Sequence, residues 1–482
     1  MKTFRIALAL MLVLVVAAFG VASAQTGLTT NYTTSITYQN VSTQNAVVTF
    51  QFYNEKTASA VTINRSINAG AGSSLFLGSL SGAEALPEGF LGSVVMGSNQ
   101  TIVGTMVQVP QNSPVKNRPL SNGFSGGGSQ VLLATILKNV FSTSSTFSIQ
   151  NADTGNINIT VKFFRVGETA PALTLTENDI PSGSAKFYKA SEIAGLGASF
   201  NGSAVVTAVK STGGLPANIV GSVLELGTTN LAAKAFEGIG SGSANLYVAT
   251  ALCNVFGGTS TAYAIQNTDN ANAASVTVTY KDLAGATVGT DTKNISAGGK
   301  QSFLACDKAP AGFSGSAQVQ SSGPAIVAVA KATKPDPNYG TAFLGASAGS
   351  VKIALPYVRY TSQANYDSGA RQRTFIAIQN IGGATVNNVV VKYLDKDGTV
   401  LGTHTIPSIA SGSKANTNAT LATGNAAKLA EFGNPEANVG GGFGGAVIIE
   451  GPAGSSLIAV GRVQSRANGV DVAEDYNGIA IQ

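Results

Sequence analysis

The chain has 482 residues, a formal net charge of +5 and only 11% charged residues, with 57 glycines, one histidine and no tryptophan. That length is enough for three or four domains, and 44% hydrophobic residues with so little charge exclude a disordered chain. The charges are scattered, without a Lys/Arg run of the kind that tracks phosphates, so no nucleic-acid partner is expected. Two cysteines and one histidine are too few for a closed zinc site.

The first element reads as a targeting segment. Lys2 and Arg5 precede an apolar run from Ile6 to Val21, and Ala22-Ser23-Ala24 offers small residues for cleavage before Gln25. Residues 1–24 are therefore expected to be a signal peptide, leaving a secreted chain. No later stretch is long and apolar enough to span a bilayer, so no membrane span is expected after cleavage.

The next element recurs four times. A short apolar run ending in Gln-Asn occurs at Ser35–Asn40, Thr146–Asn151, Ala262–Asn267 and Phe375–Asn380, with spacings of 111, 116 and 113 residues between the asparagines. Within each copy the bulky residues alternate with small ones, as in Phe147-Ser148-Ile149, which predicts a strand with one buried face. The glutamine then points to the opposite face. Asn40, Asn151, Asn267 and Asn380 end the strand, where an amide side chain bonds nearby backbone and starts a turn. A second alternating strand follows: Val48/Phe50/Phe52, Ile159/Val161/Phe163, Val276/Val278/Tyr280 and Val389/Val391/Tyr393. Asp397-Gly398 is the clearest of the turns that come next.

About fifty residues after each asparagine stands a Phe-x-Gly element, at Phe90–Gly92, Phe200–Gly202, Phe313–Gly315 and Phe443–Gly445, which opens a further strand. The fourth copy carries an insertion before it, in which Thr423–Gly433 is the best short-helix candidate. Another apolar strand closes each unit. Copies two to four are also preceded by an extra strand ("VLLATILKNVF", "LYVATALCNVF", "VKIALPYVRY"), where copy one has only "QTGLTT". If the first copy lacks that strand, one of its sheet edges stays open to a strand from another chain.

These elements predict an all-β chain of four tandem antiparallel sandwiches, each able to bury its own core like beads on a string. The expected boundaries are 25–120, 121–236, 237–350 and 351–482. The repeated Gln-Asn strand, the V-x-V-x-Y/F strand and the Phe-x-Gly strand together resemble tandem immunoglobulin-like or fibronectin-III-like repeats of secreted bacterial cell-surface proteins. The antibody-type core cannot apply, since there is no tryptophan. The resemblance implies adhesion, spacing or assembly of a surface layer or filament, and does not imply catalysis.

Cys253 and Cys306 both fall in the third copy, and an even count in an exported chain favours one internal disulfide. Copy two has Lys138 and a position near Ser191 in their places. The pair closes a loop of roughly 50 residues, worth about 3–4 kcal/mol on the chain-entropy estimate.

Residues with a pattern suited to catalysis or ligand binding are few. His404 lies in a strand-like segment and reads as a strand-face imidazole. Asp395–Gly398 resembles the start of a calcium loop, but its twelfth position is Ile406 rather than a bidentate glutamate. A looser calcium site between domains would draw on Asp336, Asp367 or Asp475. Gly123–Ser129 and Gly238–Ser243 lack the flanking helix and lysine of a phosphate loop and read as domain junctions. Eight Asn-x-Ser/Thr sites occur. Tyr357, Tyr360 and Tyr366 cluster, and exposed rings of this kind stack on sugars. The expected function is a non-enzymatic structural protein of the extracellular cell surface, self-associating into a homo-oligomeric layer or filament, without cofactor or metal. The alternative is a glycan-binding adhesin that uses these tyrosines.

Overall fold

The computed structural model describes residues 12–14 and 30–481, apart from 56, 58–59, 114, 337, 434–444 and 468. The proposed cleavage site, Gln25–Thr29 and Phe443 lie outside the described residues. The architecture is all-β: among the described residues there are eight antiparallel sheets, seven of four strands and one of six. Four successive stretches of chain, called units one to four, each supply two of them, consistent with tandem sandwiches.

Unit two shows the plan. One sheet runs, in spatial order, Gln130–Lys138, Phe200–Lys210, Ile157–Arg165, Leu173–Ile180. The other runs Ala185–Lys189, Thr143–Asn151, Ile219–Gly227, Ala233–Glu237. We call Gln130–Lys138 the opening strand, Thr143–Asn151 the signature strand and Ala233–Glu237 the closing strand. The opening strands of units three and four are Asn245–Cys253 and Lys352–Leu355. The closing strands of units one, three and four are Leu120–Asn122, Gly340–Leu344 and Val470–Asn477. Two closing strands, Leu120–Asn122 and Ala233–Glu237, cross the boundaries read from the sequence.

The alternation that marks these strands fills the cores. Val276, Val278 and Tyr280 are buried while the residues between them are partly exposed. Each core is keyed by an edge-to-face aromatic pair: Phe52–Phe90, Phe163–Phe200, Tyr280–Phe313 and Tyr393–Phe432. In unit four the second ring is therefore Phe432, from the insertion. The glycine of the Phe-x-Gly element has a steric reason. A Cβ at Gly92, Gly202 or Gly315 would lie 2.0–2.1 Å from the carbonyl oxygen of Tyr53, Phe164 or Lys281 on the neighbouring strand.

Two expectations need correction. The signature strand has two buried faces, not one: every residue of Thr143–Asn151 is buried. And the units are not beads on a string. Val327, Val329 and Ala342 of unit three belong to the apolar cluster of unit two, and Ala377, Ile458 and Val460 of unit four to that of unit three. Val107 and Leu120 of unit one belong to that of unit four, which closes the series. The physical cause is the opening strand, which packs its outer face on the next unit's signature sheet. The closing strands of units one and three each touch those of units two and four, so the four units form a ring with their last strands at its centre. Mutual cover hides edges that would otherwise present unpaired backbone groups.

Among the described residues two short α-helices interrupt the strands, both in unit four. Ala426–Ala430 falls inside the stretch expected to hold a helix. Gln363–Asp367 was not expected; it sits in the tyrosine cluster, and Ser362 caps it by accepting from the Asn365 amide. Among the described residues no helix is long and apolar enough to cross a membrane.

Candidate functional site: the junctions between units and the opening-strand slot

The Gln-Asn pair does two structural jobs. Each signature asparagine is fully buried. In unit two Asn151 Nδ2 donates to the carbonyls of Gly155 at 2.8 Å and Ile180 at 2.9 Å, while its Oδ1 accepts from the Asp153 amide at 2.8 Å. Asn380 repeats this with Ala384, Ile409 and Gly382. Asn40 and Asn267 make the corresponding bonds in units one and three. The asparagine thus ties its own turn to the opposite sheet.

The glutamine serves the junction. Gln150 Nε2 donates to the Gly183 carbonyl at 2.8 Å, and Ser93 of unit one donates to the same oxygen at 2.6 Å. Gln379 and Ser316 converge likewise on the Gly412 carbonyl, and Ser203 donates to the Gly298 carbonyl. Gln266 reaches directly across to the Ala204 carbonyl of unit two. Ser93, Ser203 and Ser316 each follow the glycine of the Phe-x-Gly element. Unit four has Ala446 there, and at this point of its junction with unit one a backbone bond stands instead: the Gly72 amide donates to the Lys396 carbonyl at 3.0 Å. Gly398 and Gly70, both at positive φ, press together at this point, and a Cβ on Gly398 would meet the Gly70 carbonyl carbon at 2.8 Å.

Around the ring centre the junctions are polar. Glu225 of unit two is fully buried and ion-paired to Lys331 of unit three at 2.6 Å, with Lys234 at 3.9 Å. The lysines around it hold its carboxyl below the usual range against the opposing effect of burial. Lys300 donates to Thr135 across the same junction. Arg462 and Asp475 make a two-bond pair at 2.8 and 2.7 Å, and Thr341 of unit three donates to Asp475 at 2.5 Å. Glu474 accepts from the Arg118 amide of unit one, and burial pushes its carboxyl up to about 8.

The opening-strand slot of unit one is the second feature. Leu12–Leu14 lies there, paired antiparallel with Gly92–Ser98. The register is that of the other units. Leu12, Val13 and Leu14 face Met96, Val95 and Val94. In unit two Val131, Leu132 and Leu133 face the corresponding Val206, Val205 and Ala204. Leu246–Val248 and Ile353–Leu355 take the same place in units three and four. The place left to "QTGLTT" by the sequence is thus filled from the apolar segment upstream.

Cys253 and Cys306 form the disulfide, with Cα atoms 5.0 Å apart. It joins the opening strand of unit three to the segment after Lys300–Leu304 in the facing sheet. In unit two Lys138 makes the same crossing by donating to the Ile193 carbonyl at 2.9 Å. Tyr357 and Tyr366 are buried, bonded to Gln372 and Asp471, and Tyr360 lies half-buried beneath Arg373. His404 Nδ1 shares a hydrogen bond with Thr417, and burial lowers its pKa. Asp367 pairs with Arg466 and Asp475 with Arg462, and Asp336 accepts from the Asn338 amide. Among the described residues no group of three or more His, Cys, Asp or Glu is placed to hold a metal ion. The two glycine-rich stretches pair with strands rather than cradle an anion: Gly128 bridges Ile219, and Ile239 bridges Leu132. The ion pairs across the junctions escaped sequence reasoning, because their partners lie in different units. No protein-family model and no curated protein matches the chain.

Proposed function

We propose that the protein is an exported, non-enzymatic structural protein of the cell surface, built from four immunoglobulin-like or fibronectin-III-like sandwiches, that self-associates by accepting a strand from a second copy. The observation that carries this reading is the slot of unit one. Its occupant, Leu12–Leu14, belongs to the segment that reads as a signal peptide, and it sits in the register of a strand the other three units carry in their own sequence. Removal of residues 1–24 would leave the Gly92–Ser98 strand unpaired along that edge. An apolar strand from a neighbouring copy would restore the backbone hydrogen bonds and the apolar cover. A surface layer or filament follows if each copy both gives and receives.

The test is to purify the exported protein, fix its N-terminus by intact mass, and examine it by light scattering and electron microscopy. The expected result is a chain starting after Ala24 that forms ordered assemblies, and a synthetic peptide spanning residues 10–16 should block them. An exported monomer that retains Leu12–Leu14, or a cleaved chain that stays monomeric, would overturn the reading. The adhesin alternative has no structural observation in its favour, since Tyr357 and Tyr366 are buried.

A further inference from the structure

The junctions between units two and three and between units three and four are built from corresponding residues, and their difference points to a ligand. At the first junction Lys300, Lys331 and Thr135 surround the Glu225 carboxylate. The register gives their counterparts at the second. Lys414 faces Gln379 as Lys300 faces Gln266, and Arg462 faces Phe375 as Lys331 faces Ala262. Thr250 corresponds to Thr135, and Glu225 is replaced by Ala332. The second junction therefore keeps both cations and loses the carboxylate between them.

Asp475 holds Arg462 through both oxygens and also accepts from Thr341, and it makes no ion pair with Lys414. Lys414 is only 5% exposed, and its side chain makes no hydrogen bond or ion pair among the described residues. It lines a cavity of about 270 Å³ together with Arg462, Thr250 and Asn416. The remaining walls include Leu252, Ile376 and Val460, with the exposed Phe256 among the lining residues. A buried ammonium without a counter-charge is costly, and a small anion entering this cavity removes the cost.

We propose that this cavity binds a small monocarboxylate with a short apolar body, its carboxylate taking beside Lys414 the part that Glu225 plays at the neighbouring junction. The internal precedent argues for a carboxylate rather than a phosphate, and the aliphatic walls argue for an apolar body. The volume lies below the range of drug-sized sites, which sets a small ligand.

The experiment is calorimetric titration of the full exported protein with isobutyrate and benzoate, with isobutyramide and inorganic phosphate as controls. The carboxylates should bind, and the neutral amide should bind at least about tenfold more weakly, since a hydrogen bond to a charged group is worth about 1.5–3 kcal/mol. Lys414→Met should abolish binding, Lys414→Arg should retain it, and unchanged melting of both variants would separate this from misfolding. Arg462 and Asp475 are the other charged groups lining the cavity. Burial and Arg462 lower the Lys414 pKa to about 7. Binding should therefore strengthen as pH falls from about 8 to about 6. Equal affinity for the amide, phosphate binding as tight as the acids, unchanged binding by Lys414→Met, or no binding at millimolar ligand would each overturn the proposal.

Discussion

Asn151→Ala isolates the asparagine latch. The side chain is fully buried and makes three hydrogen bonds, two donated by Nδ2 and one accepted by Oδ1. Alanine removes all three and leaves the Ile180 carbonyl, on a fully buried residue, without this donor. At about 1 kcal/mol net per bond the cost is about 3 kcal/mol. In a ring of packed units a single melting curve would blur this, so the assay is hydrogen exchange followed by mass spectrometry. Amides in the turn 152–156 and in the strand end near Ile180 should exchange on the order of 100-fold faster, the factor that corresponds to about 3 kcal/mol. Units three and four serve as internal controls. Asn151→Asp keeps the acceptor but loses both donors and sets a carboxylate against two carbonyls. Its folded-state pKa should lie above the unfolded value of about 3.9, so its cost is small near that pH and grows as pH rises. Exchange within about threefold of wild type, which is below about 1 kcal/mol, would refute the latch. So would equal acceleration in all four units.

Replacing Cys253 and Cys306 with serine opens a loop set by their separation of 53 residues and should destabilise unit three by up to about 4 kcal/mol, seen as faster exchange in its opening strand. Ser203→Ala removes one bond across the junction of units two and three and should cost about 1 kcal/mol there, leaving exchange in unit four unchanged. Glu474 has a folded pKa of about 8 against an ordinary 4.5, so its carboxyl binds a proton more tightly in the fold than in the unfolded chain. Its contribution to stability falls as pH rises from about 4.5 through about 8. Glu474→Gln should therefore gain on wild type across that window in urea unfolding, and parallel curves would remove the argument.

The all-β class, the alternating core strands and the disulfide were legible because they depend on residues within one repeat: alternation and cysteine position. The ring was not legible. Its residues are Ser93, Ser203 and Ser316, Gln266, and Glu225 with Lys331, and each meets a partner across units. Polar residues on the second face of a strand read as solvent-facing, and Gln150 and Ser148 carry no sign that a neighbour will cover them. Two of the three tyrosines singled out for sugar stacking are buried for the same reason: exposure is decided by packing that no short motif reports. The pairing of Leu12–Leu14 was hidden differently, because a run that reads as a leader is set aside before strands are sought.

The opening strand has two partners, and this limits what can replace it in unit one. Leu132 of unit two packs in one apolar cluster with Val327 of unit three, and Ala354 of unit four in another with Val103 of unit one. Those valines occupy corresponding positions, opposite Gln266 and Gln39, and the matching residue of unit two is Val220, opposite Gln150. Val220 clusters with Phe124 and Ala152. The middle position of the slot in unit one, level with Val13, is therefore the one that corresponds to Leu132 and Ala354. An incoming strand with apolar residues on one face only would pair with Gly92–Ser98 yet set a polar side chain towards Val220. A donor must be apolar at three consecutive positions, as Leu-Val-Leu is and as Val131–Leu133 and Ile353–Leu355 are. That requirement is stricter than the alternation that suffices for an ordinary edge strand. It makes Val13→Asn in the blocking peptide a discriminating control. The substitution keeps every backbone hydrogen bond, so loss of blocking would assign the selectivity of the slot to the junction with unit two rather than to strand pairing alone.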